Sequence, residues 1–578
     1  MNDLKKSVLT AGDLCLEFEN GFLRYIKLGQ KEIVRMIYFA LRDENWGTIP
    51  HRIENLQVKE KENSFKIQYE AKSQHPIIDF EWQCSITGEN NTIQFEIDGQ
   101  SHSKFLRNRI GFCVLHPIKE CKGKPVVITH ADKSKTTHRF PEYISPDQPF
   151  KNITSMEWSI DEARANIDFE GDLFECEDQR NWLDASYKTY CTPLDLPFPV
   201  QVENGERIWQ KVCLVVEGSL KAEHKIIPEL KQLDTSYPMP AIGLEANTNV
   251  LSSFAVSHLR KLQMSHLRVE ADLYRKDWQE DLNKKLDQAG TLNVPVELVL
   301  FPSNDLPDDF MTNFREERVI RSIILLDHHE PVIGPEKTAT ILPKLRTFFK
   351  DLPIGIGTNF YFTELNRNRP SFKGFDFLSF SSNPQVHAFD DLSIFETAVT
   401  FTDVLKTAQF FSNGLPVHVS PVTLKPRSNP DATGELTPDQ KQKNRIDTRQ
   451  RKTLAAQWWM IAFKYLAQGG SSSVTAFQTV GEEGIMMSDQ ESIFDFFPAR
   501  PDELFPVYDI FRMLGQQKGS KVIGTESSHP QLFDGMLFET STGRKLLVLT
   551  NFCNHPLAIK ISERTFELKA REIRQEFI

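Results

Sequence analysis

A chain of 578 residues is too long for one core and sets a prior of roughly two to four domains. It is 40% apolar and 25% charged, with a net charge of −11 and its basic residues spread along its length. That balance argues against nucleic acid and against anionic membranes as partners. The start, "MNDLKKSVLTAGDLCLEF", lacks the apolar centre of a signal peptide, and no run of about 18 apolar residues occurs. None of the eight cysteines forms a C-x-x-C pair, which leaves zinc-ribbon and thioredoxin readings without support. Reduced thiols and a cytoplasmic location are expected.

From residue 13 to 115, segments such as "FLRYIKLG", "IDFEWQCSI" and "TIQFEIDGQ" alternate apolar and polar positions between turn signals like "ENG" and "GENN". Period 2 at this spacing predicts an antiparallel sandwich. "ANIDFEG" and "WQKVCLVVEG" continue the pattern to about residue 218, so residues 1–230 form one large N-terminal β-sandwich of the supersandwich kind. One stretch breaks it. "FECEDQRNWLDASYKTYCTP" (174–193) mixes six ionised side chains with four aromatics and two cysteines and follows neither period.

Near residue 236 the texture changes to short apolar strands, each followed by a helical segment. They begin with "AIGLEA" (241–246), "HLRVEA" (266–271), "PVELVLF" (295–301) and "SIILLD" (322–327). "IGIGTNFYF" (354–362), "FDFLSFS" (375–381), "PVHVS" (416–420) and "SSVTAF" (472–477) complete eight. Eight such units predict a (β/α)8 TIM-type barrel over residues 231–515. Strand patterns return from "KVIGTES" onwards, so residues 516–578 form a small C-terminal β-sandwich.

Active sites of these barrels lie at the C-terminal ends of the strands. Those positions hold Glu245 and Asn247 on strand 1, and Arg268, Glu270 and Asp272 on strand 2. Strand 4 offers Asp327, His328 and His329, and strand 5 offers Asn359, Tyr361, Glu364, Asn366 and Arg369. Strand 6 gives Asn383 and His387, strand 7 His418, Ser420, Thr423, Lys425 and Arg427, and strand 8 Gln478, Thr479, Glu482 and Glu483. Any one of these is more often a cap or loop anchor than a functional group. Their convergence suits a small polyhydroxy ligand.

Other chemistries have less footing. Strand 4 lacks the Asn-Glu of the largest group of barrel glycosidases and strand 7 lacks a carboxylate, so a glycosidase pair would have to be rebuilt from Glu270 and Glu364. No G-x-S-x-G, H-E-x-x-H or phosphate-cradling glycine loop occurs. Asp327, His328, His329 and His387 are the residue types of a divalent-metal site, but their spacing is not diagnostic, and the expectation is a reaction without a cofactor.

The stretch "GDLFECEDQRNWLDASYKTYCTPLDLPFP" resembles the signature of the D-apionate lactonase family, as do "NRIGFCVLHP", "FPEYISPDQPF", "FTELNRNRP" and "SNPQVHAFDD". The resemblance covers most of the chain. It implies an N-terminal β domain, a barrel-like middle and a C-terminal β domain, and hydrolysis of D-apionolactone to D-apionate in bacterial apiose catabolism. The partner is then a small sugar lactone; the oligomeric state stays open. The aromatic, charged stretch 174–193 fits either a loop closing over a polar pocket, with Asp178 and Arg180 binding hydroxyls or a carboxylate, or a domain interface held by ion pairs. Opening a lactone needs an activated water and a stabilised oxyanion. Glu364 or His387 is the expected base, with Asp327 orienting an imidazole. Asn359, Asn383 and Lys425 are expected on the carbonyl, with Arg268 and Glu270 on substrate hydroxyls. The rivals are a glycoside hydrolase and a non-catalytic carbohydrate-binding protein.

Overall fold

Alternation of apolar and polar residues between Ser7 and Glu217 builds two antiparallel sheets of nine strands each. The burial of Phe80–Glu89 and of Ala163–Glu170 alternates along the strand, as one covered face requires. The inward faces carry one apolar core that includes Phe18, Phe80, Phe95, Phe112, Trp158 and Phe174. The computed structural model describes residues 6–218, 227–307, 310, 314, 320–428, 430 and 437–578. They cluster into two units: 6–179 with 185–218, and Arg180–Asp184 with 227–428 and 437–578.

Residues 174–193 correct the expectation of a long loop. Phe174–Asp178 and Ser186–Tyr190 are paired antiparallel strands buried at every position. A strand covered on both faces has no reason to alternate, and its polar side chains must find internal partners. Lys188 pairs with Glu177, and the Tyr190 hydroxyl donates to Glu175 at 2.6 Å. Arg180–Asp184, between the strands, cluster with the second unit.

The second unit is built on a closed parallel barrel of eight strands. In order they are Ala241–Glu245, His266–Asp272, Val296–Phe301, Ile320–Leu325, Ile354–Gly357, Phe377–Ser382, Val417–Val422 and Ser473–Gln478. The helix Thr453–Gln468 is apolar nearly all round and buried from Leu454 to Ala467, as a helix covered on every side must be. Its one cation, Lys464, is fully buried against Asp534, which also accepts the Tyr465 hydroxyl at 2.8 Å. Asp534 lies on a five-stranded antiparallel sheet in which Leu230–Pro238, from before the barrel, pairs with Lys521–Ser527. All eight cysteines are free. No helix among the described residues is long and apolar enough to cross a membrane.

Two buried imidazoles make stability depend on pH. His116 in the first unit has its pKa pushed down to about 3 by burial. Burial takes His266 in the second to about 4, with Arg321 and His418 adding to the effect and Glu297 opposing it. Each folded-state pKa lies below the unfolded value of about 6.5, so the unfolded chain binds protons that the folded one refuses. Stability is therefore full above pH 6.5 and is lost as pH falls towards 4 and 3. By pH 5 each unit should lose about 2 kcal/mol. Urea unfolding at pH 7.5 and pH 5 reads this directly; equal midpoints would mean that the folded protein accommodates both imidazolium ions.

Candidate active site

Side chains alternate along strand 2 of the barrel, so His266, Arg268 and Glu270 share one face at three heights. Gly243 on strand 1 leaves room for the lowest of them: a Cβ there would lie 2.3 Å from the His266 ring nitrogen. Arg321 donates to His266 Nδ1 at 3.0 Å, and an arginine has no lone pair to offer. Nδ1 must then be the acceptor, and the proton sits on Nε2, which donates to Thr475 at 2.8 Å.

The same layer carries Glu297, the one charge in the otherwise apolar third strand and fully buried. It accepts from His418 Nδ1 at 2.8 Å, Ser420 at 3.0 Å and Ser322 at 3.2 Å. Burial opposes its ionisation, but His266, His418 and Arg268 outweigh burial and hold its carboxyl well below the usual range. The His418 ring stacks on Phe377 with centroids 3.9 Å apart.

Above this layer two guanidinium groups meet. Arg268 donates to Glu270 at 2.6 Å and to Asn359 Oδ1 at 3.1 Å. Arg427, beyond strand 7, donates to Glu270 at 2.8 Å, Glu245 at 3.0 Å and Asn359 Oδ1 at 3.2 Å. Burial would raise the Glu270 pKa, but Arg427 and Arg268 hold it well below the usual range. Nε of both arginines is buried without a hydrogen-bond partner among the described residues. An unmet buried donor costs about 1–3 kcal/mol, a cost that a bound polar atom removes.

Beside this cluster lies a second group. Asn383, past strand 6, accepts the Gln385 amide at 3.0 Å in a tight turn, and the buried Gln385 side chain donates to Leu424 O at 2.6 Å and Asp447 at 2.7 Å. This anchoring aims His387, two residues on. Its Nδ1 lies 2.6 Å from Asp184 Oδ2, and the Trp182 ring meets it edge-on with centroids 5.2 Å apart. An ionised carboxylate only accepts, so Nδ1 carries a proton, and in the neutral ring Nε2 is the atom that has the lone pair. Asn383 Nδ2 is buried with no partner among the described residues. Asn383, Trp182, Tyr361 and Val386 line a small cavity with about 10 Å³ open to a water centre, room for roughly one molecule. The Tyr361 hydroxyl donates to Ser428 O at 2.7 Å and accepts from Ser428 N at 3.1 Å. Because Asn359 is two residues from Tyr361 and Arg427 precedes Ser428, the two groups adjoin.

The structure thus places Arg268, Glu270 and Asn359 in one group and Asn383 and His387 in another. It gives other expected residues different work. Strand 5 ends at Gly357, and Glu364 falls in the short helix Phe362–Arg367, where its Oε2 accepts the Tyr361 amide at 2.9 Å. Asp327 does not orient His387; Asp184 does. Asp327 accepts from Lys337 at 2.5 Å and from the amides of His329 and Glu330, contacts that outweigh burial and lower its pKa. The carboxylate facing His328 is Asp272, at 3.3 Å. Arg180 is fully buried and donates to Asp403 at 2.9 Å, the part of an anchor. Asp178 belongs to the first unit, where it accepts the Ser145 amide at 3.2 Å. Lys425 is half-buried, and its backbone carbonyl accepts from Thr423. Asn359 offers its carbonyl to the two arginines, so only its amide nitrogen remains for a ligand. Among the described residues no three His, Cys, Asp or Glu side chains are placed to hold a metal ion together.

Two groups, Asp184 and Glu297, escaped the sequence expectations as site residues, and Arg427 was named at a strand end without a role. Asp184 lies 203 residues from its imidazole. Arg427 sat in a polar loop among several equivalents. Glu297 had a usable signal, a lone charge in a buried apolar strand. A glycosidase pair made of Glu270 and Glu364 finds both carboxylates engaged, one by two guanidinium groups and the other by its own helix.

The family model described as D-apionate lactonase, N-terminal domain, matches residues 2–219, and that described as D-apionate lactonase, TIM barrel domain, matches residues 241–519. A D-apionate lactonase of Brucella anthropi is 28% identical over 529 residues, covering 85% of each chain. Among solved structures, a GH51 arabinofuranosidase from Xanthomonas axonopodis pv. citri has a TM-score of 0.40 at 10% identity, covering 58% of this chain and 88% of its own. SrfJ from Salmonella typhimurium has a TM-score of 0.41 at 12% identity, covering 67% of this chain and 98% of its own.

Proposed function

The chain belongs to the D-apionate lactonase family, and from that premise we propose that it hydrolyses D-apionolactone to D-apionate with His387 as the general base. The observation that carries the chemical part is the 2.6 Å contact between Asp184 and His387 Nδ1, which leaves Nε2 free to take a proton. Water deprotonated by Nε2 adds to the lactone carbonyl, and a nearby donor holds the oxyanion. Asn383 Nδ2 is such a donor, buried, unpartnered and on the same loop. Arg268 and Arg427 supply the polar floor that a polyhydroxy ring needs, with Glu270 held ionised as an acceptor for hydroxyls. No covalent serine enters this scheme. A cytoplasmic location is part of the proposal, supported by eight free thiols.

The test is direct. Purified protein and D-apionolactone in weakly buffered indicator should release one proton per lactone opened, well above the spontaneous rate, with D-apionate identified by NMR. A panel of other aldonolactones measures selectivity. Failure on every lactone combined with cleavage of a chromogenic glycoside would replace this reading by the glycosidase one.

A further inference from the structure

Glu483 lies in the turn that follows the last barrel strand. The Gln478 amide donates to the Glu483 carbonyl at 3.0 Å and the Gly484 amide to the Gly481 carbonyl at 2.9 Å, which pins the backbone on both sides. Arg445 then holds the side chain in an unusual way. Its Nε at 3.0 Å and Nη2 at 2.9 Å both approach the same oxygen, Oε2. Oε1 takes no hydrogen bond among the described residues, in a side chain that is 18% exposed. One oxygen is clamped and the other is left for something else.

The charged groups facing this carboxyl are Arg445, Arg427 and Glu245. Burial and Glu245 raise its pKa, the two arginines lower it, and the sum is upward. Glu270, bonded to the same Arg427, is driven the opposite way. Two carboxyls whose surroundings push their pKa values apart have the arrangement of an acid and a permanently ionised partner. In the same cluster Arg268 Nε lies 3.6 Å from Glu245 Oε1, and Arg427 Nε is buried with no hydrogen-bond partner among the described residues.

We propose that Glu483 is the acid of the lactone opening, donating from Oε1 to the ring oxygen as it leaves; this rests on the lactonase reading above. Water adds to the carbonyl carbon while its proton passes to His387 Nε2. The bond between that carbon and the ring oxygen then breaks, and the oxygen takes the Glu483 proton to become a hydroxyl. The new carboxylic acid ionises, His387 gives up its proton, and Glu483 takes one back. One proton is released per turnover, as the sum of lactone and water to hydroxy acid anion requires. An alkoxide is a poor leaving group, so this donation should matter to the rate.

The experiment is the pH dependence of kcat on D-apionolactone for the wild type, Glu483→Gln and Glu483→Asp, with thermal unfolding of each. An acid and a base together give a bell. Glu483→Gln should lower kcat by about 10²-fold at the optimum, leave KM within about threefold, and turn the bell into a curve that only rises with pH. Glu483→Asp should keep a bell with a displaced falling limb and lower kcat at unchanged thermal stability, and it decides the matter if the glutamine variant does not fold. An unmoved falling limb in either folded variant overturns the proposal while leaving the lactonase intact. A wild type that opens no lactone overturns the functional reading and this inference with it.

Discussion

The change His387→Gln is expected to lower kcat for lactone opening by about 10²- to 10⁴-fold with the protein still folded. Glutamine can keep a hydrogen bond to Asp184 and fill much of the space beside Trp182, but it cannot take a proton from water. His387 is half-buried and bonded to one residue, so its loss should move the unfolding midpoint little. Asp184→Asn should also cost rate. An amide can donate to Nδ1, which puts the ring proton on Nε2 and removes the lone pair that the reaction uses. Glu364→Gln is the contrast. Its carboxylate closes the first turn of a short helix, so the variant should lose about 1 kcal/mol of stability and keep its kcat. A folded His387→Gln protein with near-normal turnover would move the base elsewhere. The next pair of the right kind is His328 with Asp272, at the ends of strands 4 and 2.

The second large effect is on stability. Glu297→Gln should destabilise the second unit by about 3–5 kcal/mol, the usual cost of breaking a buried ion pair from one side. The carboxylate accepts from an imidazole and two hydroxyls at 3.2 Å or less, and no water replaces it in a fully buried site. An amide of the same shape turns an NH2 towards groups that are already donors. Urea unfolding should show the second unit's transition at lower denaturant, with the first unit's unchanged. A loss below about 1 kcal/mol would mean that Glu297 acts through its shape and hydrogen bonds and not through its charge.

How far the sequence carried can be followed residue by residue. Period 2 in "IDFEWQCSI" and short apolar runs such as "PVELVLF" announced the two sheets and the barrel strands, because burial of one face or of a whole segment is written locally in hydrophobicity. The strand ends named Arg268, Glu270, Asn383 and His387 because barrel geometry sends those positions to one end. Glu364 was placed at a strand end because "IGIGTNFYF" reads as one strand. The chain leaves the barrel after Gly357 and turns into a helix that needs a cap. Residues 174–193 looked like a loop for a related reason: strands buried on both faces lose the alternation by which strands are recognised. What only the tertiary structure decided was pairing. Asp184 beside His387, Arg427 between Glu245 and Glu270, and Glu297 beneath Ser420 join residues 123 to 203 positions apart. Periodicity reports how each residue meets the core, whereas a charge's partner is chosen by the fold that brings side chains distant in sequence within hydrogen-bond distance of each other.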